Sequence, residues 1–161
     1  MAKLTPPPEP LSDGVVSLRP WRLADASAVA AACQDPEIQR WTRVPSPYSD
    51  ADACEWLESQ PRRWLNGESA EFAVVDAVSG DVLACVGLVD IEWDDRRAEI
   101  GYWVVAGARR RGVARRAVLL LCDWAFREVD LIRLEILAEA ENQVLAAAIA
   151  RYAAFINLPL G

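Results

Sequence analysis

Five arginines fall within eight consecutive positions of an acidic chain: Arg109, Arg110, Arg111, Arg115 and Arg116. The chain has a formal net charge of -7, so the cluster is electrostatically costly unless an anion or acidic side chains lie beside it. Gly112 lies inside the cluster and precedes residues 113–126, whose apolar spacing predicts a helix. A helix start presents unpaired N–H groups and partial positive charge, which bind phosphate. The sequence therefore predicts a diphosphate or similar polyanion on this helix turn.

The alternative is a solvated arginine face that pairs with nearby acids such as Asp123 and Glu128. The order of strand, glycine and helix favours the anion site, because the arginines fall where the helix dipole and Gly112 coincide. A Walker-type nucleotide loop does not fit, because the segment has no Gly-Lys-Ser/Thr sequence.

The composition excludes several kinds of chemistry. The chain has no histidine, which removes Ser-His-Asp and Cys-His catalysis and imidazole zinc sites, and we expect no metal. Its four cysteines are far apart and form no C-x-x-C pair, which is typical of reduced cytosolic thiols. A pI near 4.7 argues against nucleic-acid binding. The longest apolar run, residues 82–89, is too short for a membrane helix of ~20 residues, and no signal sequence is evident, so we expect a cytoplasmic protein.

The elements that must position the arginine cluster follow from periodicity and turn residues. We expect a flexible Pro-rich leader over 1–13 and a single domain over 14–161. Strands are predicted at 15–19, 72–75, 82–93, 99–105 and 133–137, and helices at 26–33, from Ser49 onward, at 113–126 and from Asn142 onward. The Asp35-Pro36 step is expected to end the first helix, with a loop over 41–48. This order, β-α-α-β-β-β-α-β-α, predicts an α+β sheet with antiparallel hairpins and one strand–helix–strand crossover.

The segment Arg109-Arg110-Arg111-Gly112-Val113-Ala114 resembles the Q/R-x-x-G-x-G/A signature of the GNAT superfamily of N-acetyltransferases. Other stretches resemble its ribosomal-protein N-terminal acetyltransferase branch, the RimJ/RimL type, in the same order along about residues 15 to 155. They are Leu18-Arg19-Pro20, Asp35-Pro36-Glu37-Ile38, Ile100-Gly101-Tyr102-Trp103, Asp123-Trp124-Ala125-Phe126 and Glu141-Asn142. The resemblance implies a three-layer α/β/α fold with a mixed, mostly antiparallel sheet and a splayed central strand pair.

The resemblance also implies acetyl-CoA as the acyl donor. By position, the diphosphate would be held by the backbone amides of Arg110, Arg111, Gly112, Val113, Ala114 and Arg115. The strand Tyr102, Trp103 and Val104 would pair with the pantetheine arm, and Asn142 would contact the cofactor.

Acetyl transfer to an amine requires a proton acceptor, a polarised thioester carbonyl and a proton for the leaving thiolate. Without histidine, a carboxylate is the available base, acting directly or through water. Glu99 lies on the strand before the arginine cluster and is the first candidate; an exposed strand glutamate is the alternative. Asp90 and Glu92 are weaker candidates. Tyr152 is the only hydroxyl close to the expected acid position and could instead be a core residue; departure as thiolate, or protonation by water or the substrate ammonium, is the other route.

We expect acceptor recognition from Trp41, Arg43 and Tyr48, with Trp56 or Trp64 nearby. Members of the resembled family usually follow the last helix with a two-strand hairpin, whereas only residues 156–161 follow Phe155 here. A truncation, a face supplied by a partner or an incomplete acceptor site would explain this difference, and a bare sheet edge favours a homodimer.

Three functions follow from these features. The first is a cytosolic acetyl-CoA-dependent N-acetyltransferase acting on a peptide α-amine or a small-molecule amine by direct attack. The second is a catalytically weak or inactive acyl-CoA sensor with an incomplete acceptor site. The third is an interaction module whose arginines bind an acidic partner.

Overall fold

The sheet has six strands, and the computed structural model describes them within residues 4–41 and 48–136. The strands are β1 (Leu11–Ser12), β2 (Val16–Pro20), β3 (Ala70–Asp76), β4 (Val82–Glu92), β5 (Arg97–Val104) and β6 (Arg133–Ile136). The helices are α1 (Ala26–Ala32), α2 (Pro36–Trp41), α3 (Asp50–Leu65) and α4 (Val113–Arg127), with 3-10 turns at Leu23–Asp25 and Ala106–Ala108. The described residues therefore reproduce the elements predicted up to β6 and add β1 and α2, whereas the helix predicted from Asn142 onward lies outside the described ranges.

The strands lie in the order β1-β2-β3-β4-β5-β6, and each pair is antiparallel except the last. Strand β6 runs parallel to β5, because α4 carries the chain back across the sheet. The pairing of β5 with β6 extends from Arg97 to Ile100, opposite Arg133 to Ile136. The predicted mixed, mostly antiparallel sheet is confirmed. The expected splay of the central strand pair and the expected lack of a C-terminal hairpin depend on residues after Ile136, which lie outside the described ranges.

Helices cover both faces of the sheet, which gives the three layers that the family resemblance implies. On one face, here called the back face, α4 packs Val118 and Leu121 against Phe72 and Leu88. On the opposite, front face, α1 and α3 pack Val29 and Leu57 over Ala73 and Val75. Successive residues of β3 alternate between the two cores, as the two-residue period of a strand requires. Residues of β5 follow the same alternation, so Ala98 and Ile100 face the back core.

The start of α3 confirms the predicted capping arrangement. Asp52 donates its backbone N–H to Ser49 Oγ at 3.1 Å, and Ser49 donates its own to Asp52 Oδ2 at 2.9 Å. These reciprocal bonds satisfy N–H groups that a helix start leaves unpaired. The helix then runs to Leu65 and places Ala53, Leu57, Gln60 and Trp64 on its buried side.

The structure corrects two expectations about the first half of the chain. Part of the expected flexible leader is packed on the domain: Leu4 is buried and donates its N–H to the Trp64 carbonyl, and β1 pairs with β2. The Asp35-Pro36 step ends α1 but also begins α2. Proline is well suited to a first helical turn, because its missing N–H would have no partner there, and Asp35 Oδ1 accepts the Glu37 N–H at 2.9 Å.

Candidate functional site

The chain between β5 and α4 forms a turn that leaves the start of α4 uncapped. Two residues of this turn have left-handed backbone angles, Arg110 at φ 63° and Gly112 at φ 74°. No side chain caps the helix, and its first turn closes with the bond from the Arg116 N–H to the Gly112 carbonyl at 3.1 Å. The N–H groups of residues 113–115 therefore precede the first intrahelical bond and point out of the helix start. Residues 109–115 are called the anion loop below.

Two of the five clustered arginines pair with carboxylates from distant parts of the chain. Arg109 lies 2.8 Å from Asp35, and Arg116 lies 2.9 Å from Asp13. For the exposed Arg110, Arg111 and Arg115, the described part of the chain provides no carboxylate within ion-pair distance.

The acids named in the alternative reading do not neutralise these three arginines. Asp123 pairs with Arg127, four residues further along α4, at 2.8 Å. Arg111 is close enough to Asp76 to contribute to its lowered pKa, although hydrogen bonds from the Ser79 and Val78 backbone lower that pKa more. The solvated-face alternative thus accounts for two arginines of the cluster and leaves three facing solvent beside the helix start.

These residues fit the diphosphate of a coenzyme A molecule. The outward N–H groups of residues 113–115 are free to donate to phosphate oxygens, and the helix start adds partial positive charge. The exposed guanidinium groups of Arg110, Arg111 and Arg115 can add charge-assisted hydrogen bonds. A Cβ at Gly112 would meet nothing within 4 Å, so its backbone is open to an approaching ligand.

The strand that leads to the anion loop pairs with β4 through Tyr102, Trp103 and Val104, opposite Val86, Cys85 and Ala84. Tyr102 and Val104 pack against the back core, and Trp103 packs in the front core. The Trp103 ring lies 5.9 Å from the Trp21 ring, and the Trp21 ring lies 5.4 Å from the Trp56 ring. The predicted pantetheine strand and a cluster of three tryptophans are therefore adjacent.

Glu99 lies on the front face of β5, between Val89 of β4 and Glu135 of β6. It lines a small cavity of about 70 Å³ together with Asp90, Glu92, Glu135 and Arg97. Arg97 is 2.9 Å from Glu92 and 3.9 Å from Glu135, so part of this negative charge is neutralised. The structure thus brings the first candidate base and the two weaker ones to one place.

The structure does not support Tyr48 as a surface contact for an acceptor. Its side chain is buried in the front core, its hydroxyl is hydrogen-bonded to the Cys33 thiol, and burial raises its pKa well above the ordinary value. The Tyr48 carbonyl accepts a bond of 2.6 Å from Gln34. These contacts favour a structural role, because a residue with this exposure has little surface left for a substrate.

Of the other aromatic residues predicted near the acceptor, one lies in the core and one lies in the tryptophan cluster. Trp64 is buried, with its ring 5.2 Å from Phe72, whereas Trp56 is half-buried in the tryptophan cluster. Trp41 is the last residue of α2. Arg43, Asn142 and Tyr152 and the side chain of Trp41 lie outside the described residues, so their predicted roles remain predictions.

The four cysteines are free thiols, and three of them are buried. Burial raises the pKa of Cys33 to about 11 and of Cys122 to about 12, which makes both thiols poor nucleophiles at neutral pH. Across residues 4–41 and 48–136, no group of three or more Cys, Asp or Glu side chains is arranged to hold a metal ion. Within the same ranges, no helix is both long and apolar enough to cross a membrane.

Glu71 is a further candidate that the sequence analysis did not single out. It lies on the front face of β3, in a strand that is otherwise apolar up to Asp76. Its neighbours include Gln60 and Arg63 of α3, and burial raises the pKa of its carboxyl group. The sequence signal that could have identified Glu71 is a charged residue within an otherwise apolar strand.

Comparisons with known proteins agree with this geometry. Residues 16–153 match the family described as Acetyltransferase (GNAT) domain. The chain therefore belongs to the GNAT acetyltransferase family and is an N-acetyltransferase by class. GNAT enzymes use acetyl-CoA.

Individual relatives cover most of the chain. It is 28% identical over 128 residues to the protein named "Uncharacterized N-acetyltransferase p20" from Bacillus licheniformis, which is 79% of this chain and 71% of that protein. The fold is similar to that of a ribosomal-protein alanine acetyltransferase from Vibrio fischeri, with a TM-score of 0.73, 20% identity and coverage of 87% and 81%. It is also similar to Mycobacterium smegmatis RimJ in complex with CoA-disulfide, with a TM-score of 0.72, 24% identity and coverage of 88% and 72%.

Proposed function

We propose that this protein transfers the acetyl group of acetyl-CoA to a primary amine, either a peptide α-amine or a small-molecule amine. The observation that carries the proposal is the uncapped start of α4 beside three exposed arginines, directly after a strand whose front face bears Glu99. This arrangement supplies an anion site and a carboxyl group on one strand–turn–helix unit.

The anion loop has the donor role. The backbone N–H groups of Gly112, Val113 and Ala114, with those of Arg110, Arg111 and Arg115, donate to the diphosphate. The guanidinium groups of Arg110, Arg111 and Arg115 add ion pairs that bulk water screens only in part. Arg109 and Arg116 hold the loop in place through Asp35 and Asp13 rather than binding the ligand.

Residues 102–104 of β5 direct the thioester toward the front face. The resemblance assigns this stretch of β5 to the pantetheine arm, whose amides would hydrogen-bond along its backbone. The backbone N–H of Trp103 or Val104 would polarise the thioester carbonyl. Bound acetyl-CoA supplies the activated acyl group.

Glu99 is the proposed proton acceptor for the attacking amine. It projects from the front face of the same strand, two residues before Gly101, while the anion loop begins on the α4 side. Amine and donor would therefore meet from opposite faces of the sheet. Asp90 and Glu92 surround the same cavity and would attract a cationic amine to it.

The names of the relatives support an amine acceptor of either kind. The Vibrio fischeri protein is named as a ribosomal-protein acetyltransferase, and mutant forms of the spermidine/spermine N-acetyltransferase SpeG from Vibrio cholerae share the fold at a TM-score of 0.65. Both are amine acetyltransferases by name, so the relatives support a primary amine acceptor.

Calorimetry with acetyl-CoA, followed by mass spectrometry of alanyl-alanine amide and phenethylamine after incubation, tests the proposal. We expect saturable binding and an acetylated product with one of the two amines. Gly112→Glu should abolish binding, because a carboxylate would occupy the diphosphate position. Failure of the wild-type protein to bind acetyl-CoA would overturn the proposal, and binding without transfer would favour the acyl-CoA sensor.

Glu99→Gln tests the base, with Glu92→Gln as its matched control in the same cavity. We expect Glu99→Gln to lower kcat by about 10²-fold or more, since general-base catalysis contributes that much. Glu92→Gln should leave kcat within about twofold, because its carboxylate is paired with Arg97. The reverse result would move the proton acceptor to Glu92.

A further inference from the structure

Two glycines on neighbouring strands lie next to Glu71 on the front face of the sheet, so neither position has a side chain of its own that covers the sheet there. Glu71 of β3 pairs with Gly87 of β4, and Gly87 pairs with Gly101 of β5. Directly paired residues project from the same face, so Glu71, the two glycines and Glu99 all belong to the front face. The pair Gly87 and Gly101 is called the glycine track below.

The Glu71 side chain lies across this track. A Cβ built on Gly87 would come within 2.7 Å of Glu71 Cγ, which places that side chain directly over β4. Adjacent strands are about 4.8 Å apart, so the part of the Glu71 side chain over Gly87 lies roughly one strand spacing from Gly101. At Gly101 a Cβ would meet only Val89 among the described residues, at 3.7 and 3.8 Å, which leaves the track open at β5.

One buried acceptor beside Glu71 has no donor among the described residues. The Glu71 carboxyl group is hydrogen-bonded to the Gln60 side chain, which leaves the amide oxygen of Gln60 to be considered. Gln60 is 2% exposed and lies beside the Glu71 carboxyl group, yet its Oε1 has no hydrogen-bond partner among the described residues. A carboxylate and an amide oxygen together present acceptors, and an ammonium group offers three donors and no acceptor. An ammonium group would thus give the unpaired Gln60 Oε1 a donor and form an ion pair with the Glu71 carboxylate.

We propose that Glu71 binds the ammonium group of the acceptor at the β3 end of the glycine track and positions it for transfer at β5. This inference rests on the proposed transferase function and adds a residue to its acceptor site. The track explains why no side chain blocks the path: Gly87 has to be glycine for the Glu71 side chain to cross, and Gly101 leaves the space next to Trp103 open. Glu71 is a positioning residue, and Glu99 remains the proton acceptor.

The charged groups around Glu71 determine how amine binding depends on pH. Arg63 of α3 favours the ionised carboxyl group, the Cys85 thiol of β4 lies nearby, and burial outweighs both Arg63 and the Gln60 amide in raising the Glu71 pKa. An ammonium group binds the ionised form of the Glu71 carboxyl group. The KM for the amine should therefore rise as the pH falls through the Glu71 pKa.

Glu71→Gln is the direct test, with Glu68→Gln as the matched control, because Glu68 is an exposed carboxylate three residues earlier. With phenethylamine and alanyl-alanine amide as probes, we expect Glu71→Gln to raise the KM for the amine ~10- to 100-fold, the range for a hydrogen bond to a charged group. The rise of KM at acidic pH should disappear. The acetyl-CoA dissociation constant should stay unchanged, as should all parameters of Glu68→Gln.

A second variant and a second readout separate this role from a structural one. Gly101→Ala has room for its Cβ, so it should keep its melting temperature and still raise the KM for the amine. NMR titration of the CoA-saturated protein with phenethylamine should show binding to wild type and none to Glu71→Gln. An unchanged KM in Glu71→Gln, or a KM change accompanied by a large loss of thermal stability in both variants, overturns the inference. Loss of acetyl-CoA binding by wild type would instead overturn the transferase proposal.

Discussion

Asp35 bonds to two parts of the molecule at once. Its Oδ2 accepts a hydrogen bond from Arg109 Nη2 at 2.8 Å, and its Oδ1 accepts the Glu37 backbone N–H at 2.9 Å. One carboxylate therefore joins the first arginine of the anion loop to the first turn of α2. Helix α2 precedes residues 42–47 in the sequence, and Arg43 of that segment is predicted to contact the acceptor.

Asp35→Asn should weaken acetyl-CoA binding without unfolding the protein. The Asp35 and Arg109 side chains are 19% and 34% exposed, so the pair contributes only about 1 kcal/mol, or roughly a fivefold change in the dissociation constant. Asparagine keeps an acceptor for the Glu37 N–H, so α2 should stay capped. Calorimetry with acetyl-CoA measures the effect.

Asp123→Asn is the control for this prediction, because Asp123 pairs with Arg127 on the exposed side of α4 and not with the anion loop. Its dissociation constant for acetyl-CoA should equal that of wild type. Equal affinities for Asp35→Asn and wild type would show that Arg109 needs no partner to shape the loop.

Gly112→Ala should destabilise the protein through its backbone. Gly112 has φ 74°, where any side chain is strained, although its Cβ would meet no atom within 4 Å. The expected loss is about 1 kcal/mol in the free energy of unfolding, measured by urea denaturation. Gly107→Ala is the matched control, since Gly107 is exposed, has no positive φ and also has open space. A loss of the same size at Gly107 would contradict the backbone explanation.

Local signals explain which parts of the fold the sequence could predict. The capping box of Ser49 and Asp52, the turn around Gly80 and the helical spacing after Gly112 each lie within a few residues, and the structure confirms the elements that they indicate. Strand β1 was missed because Leu11 and Ser12 form a strand only by pairing with β2. Helix α2 was not predicted, because a proline such as Pro36 is compatible with both the end of one helix and the first turn of the next.

The candidate site likewise has one part that the sequence could predict and another part that it could not. The anion loop depends on a contiguous motif and was predictable, whereas the bond from Arg109 to Asp35 joins residues 74 positions apart. Glu71 acquires its surroundings from the register of three strands and from Gln60 on α3, which no local pattern encodes. Tyr48 was predicted to contact the acceptor because it lies in a loop, and its burial against Cys33 depends on how α1 packs beside α3.

Gly87→Ala and Gly101→Ala should differ sharply in stability although they are paired on adjacent strands. At Gly87 a Cβ would come within 2.7 Å of the Ala70 carbonyl oxygen and of Glu71 Cα, which are backbone atoms that cannot move aside locally. We expect a loss of about 2–3 kcal/mol in the free energy of unfolding, as for other overpacked sites. At Gly101 the nearest atoms are at 3.7 Å, so the change should stay within about 0.5 kcal/mol. Equal losses in urea denaturation would show that β4 is not so closely packed on β3.

The Arg19–Asp25 pair should make stability depend on pH at the acid end. Arg19 contacts both carboxylate oxygens of Asp25 at 2.9 Å, and the Arg22 N–H adds a bond of 3.0 Å. Burial alone would raise the Asp25 pKa, but these bonds outweigh it and hold that pKa below the ordinary value of 3.8. A carboxyl group whose pKa is lowered by folding contributes its full stability above the pKa of the unfolded chain, and this contribution is lost as the pH falls through the folded-state pKa.

Asp25→Asn should therefore cost about 3 kcal/mol at neutral pH, because it leaves Arg19 nearly buried without its counter-charge. The difference between wild type and variant should stay constant above about pH 4 and shrink at lower pH, where wild-type Asp25 is itself protonated. Urea denaturation at a series of pH values measures both effects. Asp130→Asn is the control, since its pair with Arg96 is solvent-exposed and should contribute less than about 1 kcal/mol at any pH. A difference between wild type and Asp25→Asn that persists unchanged below the folded-state pKa would show that asparagine disturbs the packing rather than the charge.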